Sequence, residues 1–243
     1  MVAQYLRRGI AAGLLAGLLA GLFAFFVGEP LLDQAIGLEE SAAHGGRGHS
    51  HGGGSEEVFS RDTQKVGLFF ATALSGVFFG GLFGLAFAYF RGRLGSRSDW
   101  GRSVSLAAAV FAAVALLPFL KYPANPPTVG DPDTIGIRTV AYFTLVGCSL
   151  LAVLGAWYAS GLLRERGVSP PARHLMVGLG LVAVVSGMFV GLPPAVNPGD
   201  FPAGLLWNFR LSSLGTQLVM WTGLGVVFGA LCERANRRQP LGS

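Results

Sequence analysis

The chain has 243 residues, 51% of them hydrophobic and only 13% charged, with a formal net charge of +5 and a mean hydropathy of +0.54. A soluble domain carries about a quarter charged residues, so this composition excludes a disordered chain and an ordinary water-soluble enzyme. Cations in excess suit the basic loops of a membrane protein better than a nucleic-acid surface, and the two cysteines, Cys148 and Cys232, lie in apolar runs that carry no redox message.

Six windows lack Asp, Glu, Lys, Arg and His and are long enough, or nearly so, to cross a bilayer: 9–28, 66–90, 103–120, 139–163, 175–192 and 211–232. They cover 128 of the 243 residues, and predict an all-α polytopic bundle, one membrane domain over 1–243. The first window follows Arg7 and Arg8, exceeds a signal-peptide apolar core and has no small-residue cleavage site, so it reads as a retained helix. Gly9, Gly13, Gly17 and Gly21 line one of its faces at a four-residue period. Residues 29–65 then form a connection rich in His, Gly and acidic residues. Within it, 30–43 has the apolar spacing of a short helix lying on the interface. His44, His49 and His51, beside Glu39 and Glu40, offer imidazole and carboxylate ligands suited to weak capture of a divalent metal; a solvated His/Gly loop without ligands is the alternative.

The second window repeats the small-residue period at Gly76, Gly80 and Gly84. The third is short and ends at Pro118; the fifth is equally short and stops before Pro193, so either could be distorted or re-entrant, leaving five spans as the fallback. Between the third and fourth, Asp131 before Pro132 fits a helix N-cap followed by proline in the first turn. Pro202 opens a helix that carries Trp207 to the headgroup level and continues into the sixth span, where Gly225 and Gly229 resume the packing period. The glycine faces serve either intrachain packing or docking onto a partner. A weak internal repeat links Pro123-Ala124-Asn125-Pro126 with Pro194-Ala195-Val196-Asn197-Pro198.

The connections divide by charge. Those at the N-terminus, after spans two and four, and at the C-terminus hold 12 of 18 cations; the others hold 10 of 13 acidic residues. The positive-inside rule therefore predicts cytoplasmic N- and C-termini and outward-facing acidic loops. On that outer side Glu29, Asp33, Lys121, Asn125, Asp131, Arg138, Asn197, Arg210 and, a turn inside the last span, Gln217 form a candidate polar vestibule; ion pairing and snorkelling at helix ends are the plainer account. Within the windows the polar groups are hydroxyls, thiols, thioethers and one glutamine. No phosphate-binding loop and no nucleophile–base set appears, and the chain does not read as an enzyme.

Several stretches resemble the CbtA family of proposed cobalt transporter subunits. They are GEPLLDQAI from Gly28 to Ile36 with Glu39, Glu40 and the His-rich segment; Phe59, Ser60, Arg61 and Gln64; PFLKYPANPP from Pro118 to Pro127; VGDPDTIGIRT from Val129 to Thr139; and Pro194 to Asn197, Phe201, Pro202, Leu205 to Trp207, Phe209, Arg210 and SLGTQ from Ser213 to Gln217. The resemblance implies a subunit of a cobalt or nickel uptake system in the bacterial cytoplasmic membrane. It implies a small single-span His-containing partner subunit, transient Co2+ or Ni2+ and no tightly bound cofactor, and it transfers no metal-ligand set to any residue here. The lipid bilayer is the other partner, with a homo-oligomer or a larger membrane complex beyond it, and nucleic acid is none. A non-transporting scaffold that docks through its glycine faces is the competing reading.

Overall fold

The computed structural model describes residues 2–45, 60–95, 98–127 and 129–237, with backbone alone at 42–45 and 132. The described residues are mainly helical and contain no strand: α1 (Val2–Phe23), α2 (Glu29–Gly45), α3 (Arg61–Phe90), α4 (Asp99–Phe111), α5 (Leu117–Lys121), α6 (Ile135–Glu165), α7 (Pro170–Gly191) and α8 (Ala203–Arg237). Six helical stretches are long and apolar enough to cross a membrane.

Two of those stretches continue through an internal proline by the same device. A π turn occupies Ala24–Gly28, where the Glu29 N–H reaches back to the Ala24 carbonyl, and Pro30 follows. A second occupies Ala112–Leu116, where the Leu117 N–H reaches the Ala112 carbonyl, and Pro118 follows. Proline lacks the N–H of a regular turn and its ring collides with the carbonyl four residues back; one wide turn just before it relieves both problems without ending the helix. Hence α2 continues α1 as one helix through Gly45, where the sequence suggested a separate interfacial helix and loop.

Contacts divide the chain into two compact units, the first comprising 1–108, 125–128 and 202–243, the second 109–124 and 129–201. In the first unit α1 lies against α3 so closely that their backbones touch. A methyl on Gly13 would sit 2.8 Å from the Gly80 Cα, and one on Gly17 would sit 3.1 Å from the Gly76 Cα. Only small residues permit that approach, and in lipid close packing of this kind is a principal force between helices. α8 closes on α4 in the same manner, since a methyl on Gly229 would lie 2.8 Å from the Trp100 Cα. There Ser103 donates to the Gly225 carbonyl at 2.7 Å. Tyr5, Phe87 and Phe228 fill the space beside these contacts, with ring centroids 4.9 Å apart for the two phenylalanines and 5.5 Å for Tyr5 and Phe87.

In the second unit α6 and α7 form a hairpin. α6 ends in a Schellman motif: Val168 N–H bonds the Leu163 carbonyl at 3.0 Å and Gly167 N–H bonds Arg164 at 3.1 Å. Gly167 takes the left-handed conformation this requires, at φ +74°. Ser169, Pro170 and Pro171 then start α7. Packing is sparse: α6 buries Ala141, Leu145 and Ser149, and α7 buries no residue.

Candidate functional site

The residues singled out for an outer vestibule fall into separate local clusters. In the first unit Arg61, at the start of α3, reaches Glu29 at 2.8 Å and also pairs with Asp33 on α2; Lys65, one turn on, reaches Asp33 at 3.2 Å. Ser60 caps α3 by accepting the Thr63 N–H, which fixes where Arg61 begins. The hydrogen bond from Arg61, with help from Lys65, holds the Asp33 carboxyl below its ordinary pKa. These two acids are therefore neutralised by cations of α3 and tie α2 to it. Arg210 donates from Nη2 to the Asn125 side-chain oxygen at 2.8 Å and from Nε at 3.3 Å. This forked contact joins α8 to Asn125 in the connection after α5. Gln217 accepts from the Trp221 indole at 3.2 Å, one turn along α8.

In the second unit Lys121 donates to the Phe189 carbonyl at 2.7 Å. A cation there satisfies a free carbonyl in the last turn of α7 and opposes the negative end of its dipole. Tyr122 donates to the Pro193 carbonyl at 2.6 Å, fixing the exit of the same helix. The Asp131 side chain accepts the Asp133 N–H at 2.9 Å and its carbonyl accepts Arg138 Nη2 at 3.2 Å. Asp131 thus caps a short turn, Pro132–Thr134, that precedes α6. Arg138 packs over Gly130, whose φ of +107° and lack of a Cβ leave room for the guanidinium. The Asn197 side chain accepts the Gly199 N–H at 3.1 Å. Among the described residues no carboxylate lies within ion-pair distance of Lys121, Arg138 or Arg210.

Glu39 and Glu40 are exposed on α2. His44 lies in the last turn of that helix, and its side chain, with His49 and His51, is outside the described residues. No cluster of three or more His, Cys, Asp or Glu that could hold a metal occurs among the described residues. Polar groups inside the apolar windows are mostly used locally: Thr72 donates to the Leu68 carbonyl at 2.9 Å and Thr216 to Ser212 at 2.9 Å. The Ser149 hydroxyl is buried and has no hydrogen-bond partner.

Sequence reasoning passed over Asp99. It is 5% exposed and gathers three helices' worth of partners: Arg102 at 2.9 Å, Arg91 at 3.6 Å and the Asn236 amide at 2.9 Å. Burial alone would raise its pKa, but the hydrogen bonds from Asn236 and Arg102 and the charge of Arg91 bring it below the ordinary value. Arg91 also stacks over Tyr5, 5.1 Å from the ring centre. The available signal was that Asp99 is the sole acid in a connection with four arginines.

The architecture is that of a multi-pass helical membrane protein whose polar residues gather at helix ends rather than within the spans. The family model described as "Probable cobalt transporter subunit (CbtA)" matches residues 2–233, and the chain belongs to that family. No curated protein and no solved structure matches it.

Proposed function

We propose that the chain is the membrane subunit of a divalent cobalt, or nickel, uptake system in the bacterial cytoplasmic membrane, with both termini in the cytoplasm. The observation that carries this reading is the family match over nearly the whole chain. The His/acidic segment gathers metal outside, and the polar ends of the spans pass it on. Two features support that division of labour. α2 is braced against α3 by Arg61 and Lys65, and at 1.5 Å per residue it carries His44 about 16 Å along its axis beyond Asp33. The neutralised Glu29 and Asp33 act in this scheme as the brace, while Glu39, Glu40, His44, His49 and His51 act as the ligands. Weak, flexible ligation suits hand-off, because a closed tetrahedral site would retain the ion.

The test is cobalt uptake in cells that depend on this chain. Replacing His44, His49 and His51 by alanine raises the half-saturating cobalt concentration severalfold and leaves the maximal rate unchanged. Loss of uptake at every concentration, or no change at any, overturns the capture role. A scaffold reading is favoured by the absence of Asp, Glu, Lys, Arg and His from the apolar windows. It predicts co-purification of a stoichiometric larger complex with no dependence of metal flux on the His segment.

A further inference from the structure

The hairpin of the second unit holds a feature outside the polar clusters described above. A groove of about 590 Å³ runs between α6 and α7, lined by residues that include Cys148, Ala156, Leu163, Met176, Gly180 and Met188. Its walls carry no charged side chain, and its volume lies in the ordinary range of small-molecule sites, about 300–1,000 Å³. One end is different. Leu163 and Met176 adjoin the turn that bears Arg164, Arg166 and Arg173, with Glu165 as the one acid among them. None of the three arginines has a carboxylate within ion-pair distance among the described residues. The Arg173 Nε is shielded from solvent and lacks a hydrogen-bond partner.

We propose that this groove binds an anionic phospholipid, with an acyl chain along α6 and α7 and the phosphate against Arg164, Arg166 and Arg173. The match is one of charge and shape together. An apolar slot ending in uncompensated guanidinium groups suits a molecule that is a hydrocarbon for most of its length and an anion at one end. Guanidinium forks bind phosphate oxygens in pairs. The Schellman turn at Gly167 joins α6 to α7 at the end of the groove lined by Leu163 and Met176, and Arg164, Arg166 and Arg173 each lie within three residues of one of those two. A second copy of the chain fits less well, since a two-fold contact through this hairpin would bring two such arginine clusters together without counter-charge.

The experiment is native mass spectrometry of the full chain in neutral detergent, titrated with dioleoylphosphatidylglycerol or dioleoylphosphatidylcholine. With three exposed or half-exposed arginines at the mouth, the phosphatidylglycerol adduct is retained about tenfold more strongly. The triple change Arg164→Gln, Arg166→Gln, Arg173→Gln, confined to a surface turn, brings the two lipids to parity. Ala156→Phe, which fills the groove and leaves the charges in place, weakens both. Equal retention by the unaltered chain overturns the proposal, as does a preference that survives the triple change. A dimer that Ala156→Phe disperses, with no lipid preference, overturns it in favour of a second copy.

Discussion

Glycine performs opposite tasks in the two units. At Gly9, Gly13, Gly17, Gly76, Gly80 and Gly84 a methyl group would strike the neighbouring backbone, whereas at Gly147, Gly155, Gly178 and Gly187 there is nothing within 4 Å to strike. Both sets lie in apolar helices of similar composition. What separates them is alignment. The first set repeats every four residues on two helices that meet; the second is irregular, with intervals that wander round the helix. A regular period marks a surface built to be covered, and an unaligned glycine in lipid says little about contact.

The sharpest way to test that contrast is to add the same group to each set. Gly80→Val drives side-chain atoms into α1 and lowers stability by about 3 kcal/mol or more, at the upper end of overpacking effects. Gly178→Val on α7 changes it by less than about 1 kcal/mol. Thermal unfolding in one detergent reads both. Equal losses would mean that α7 is covered as tightly as α1.

Asp99 comes next. Its arginine partners keep a quarter to a third of their side-chain surface in solvent, so Asp99→Ala costs less than a fully buried ion pair, about 1–3 kcal/mol. The lowered pKa of Asp99 gives this contribution a pH dependence. It is complete above the unfolded carboxyl value of about 3.9 and is lost as pH falls through that value towards the folded one. Asp99→Asn removes that acid-side loss, and unfolding curves of the two proteins converge below pH ~4. Parallel curves would show that the carboxylate contributes nothing of its own. Arg210→Lys is the smallest of the effects: it keeps the charge and loses the fork to Asn125. It lowers stability by about 0.5–1.5 kcal/mol, measured by the same unfolding; an increase would show that the fork is strained.

Six membrane-crossing helices were legible because 18 or more residues without a charge have few other uses. The continuity of α1 into α2 was not, because Pro30 ordinarily marks a break and the π turn that accommodates it has no sequence signature. The glycine period of α1 and α3 could be read, but which helix each faces required their contact. The ends of Lys121, Arg138 and Arg210 on a carbonyl or an amide oxygen depend on neighbours up to 85 residues away in sequence. Charge counting therefore found these residues without finding their partners. Asp99 was missed for the converse reason, as one acid among arginines reads like a solvated loop until Asn236, 137 residues on, is seen to close over it.

The central claim, that this chain is a cobalt-transporting membrane subunit, is tested most directly by cobalt influx into proteoliposomes containing the purified chain and a cobalt-quenched dye. Saturable influx above that of empty liposomes, lost in Gly80→Val, is the predicted result. Influx no greater than in empty liposomes, from a folded chain both alone and together with the membrane protein that co-purifies with it, would contradict it.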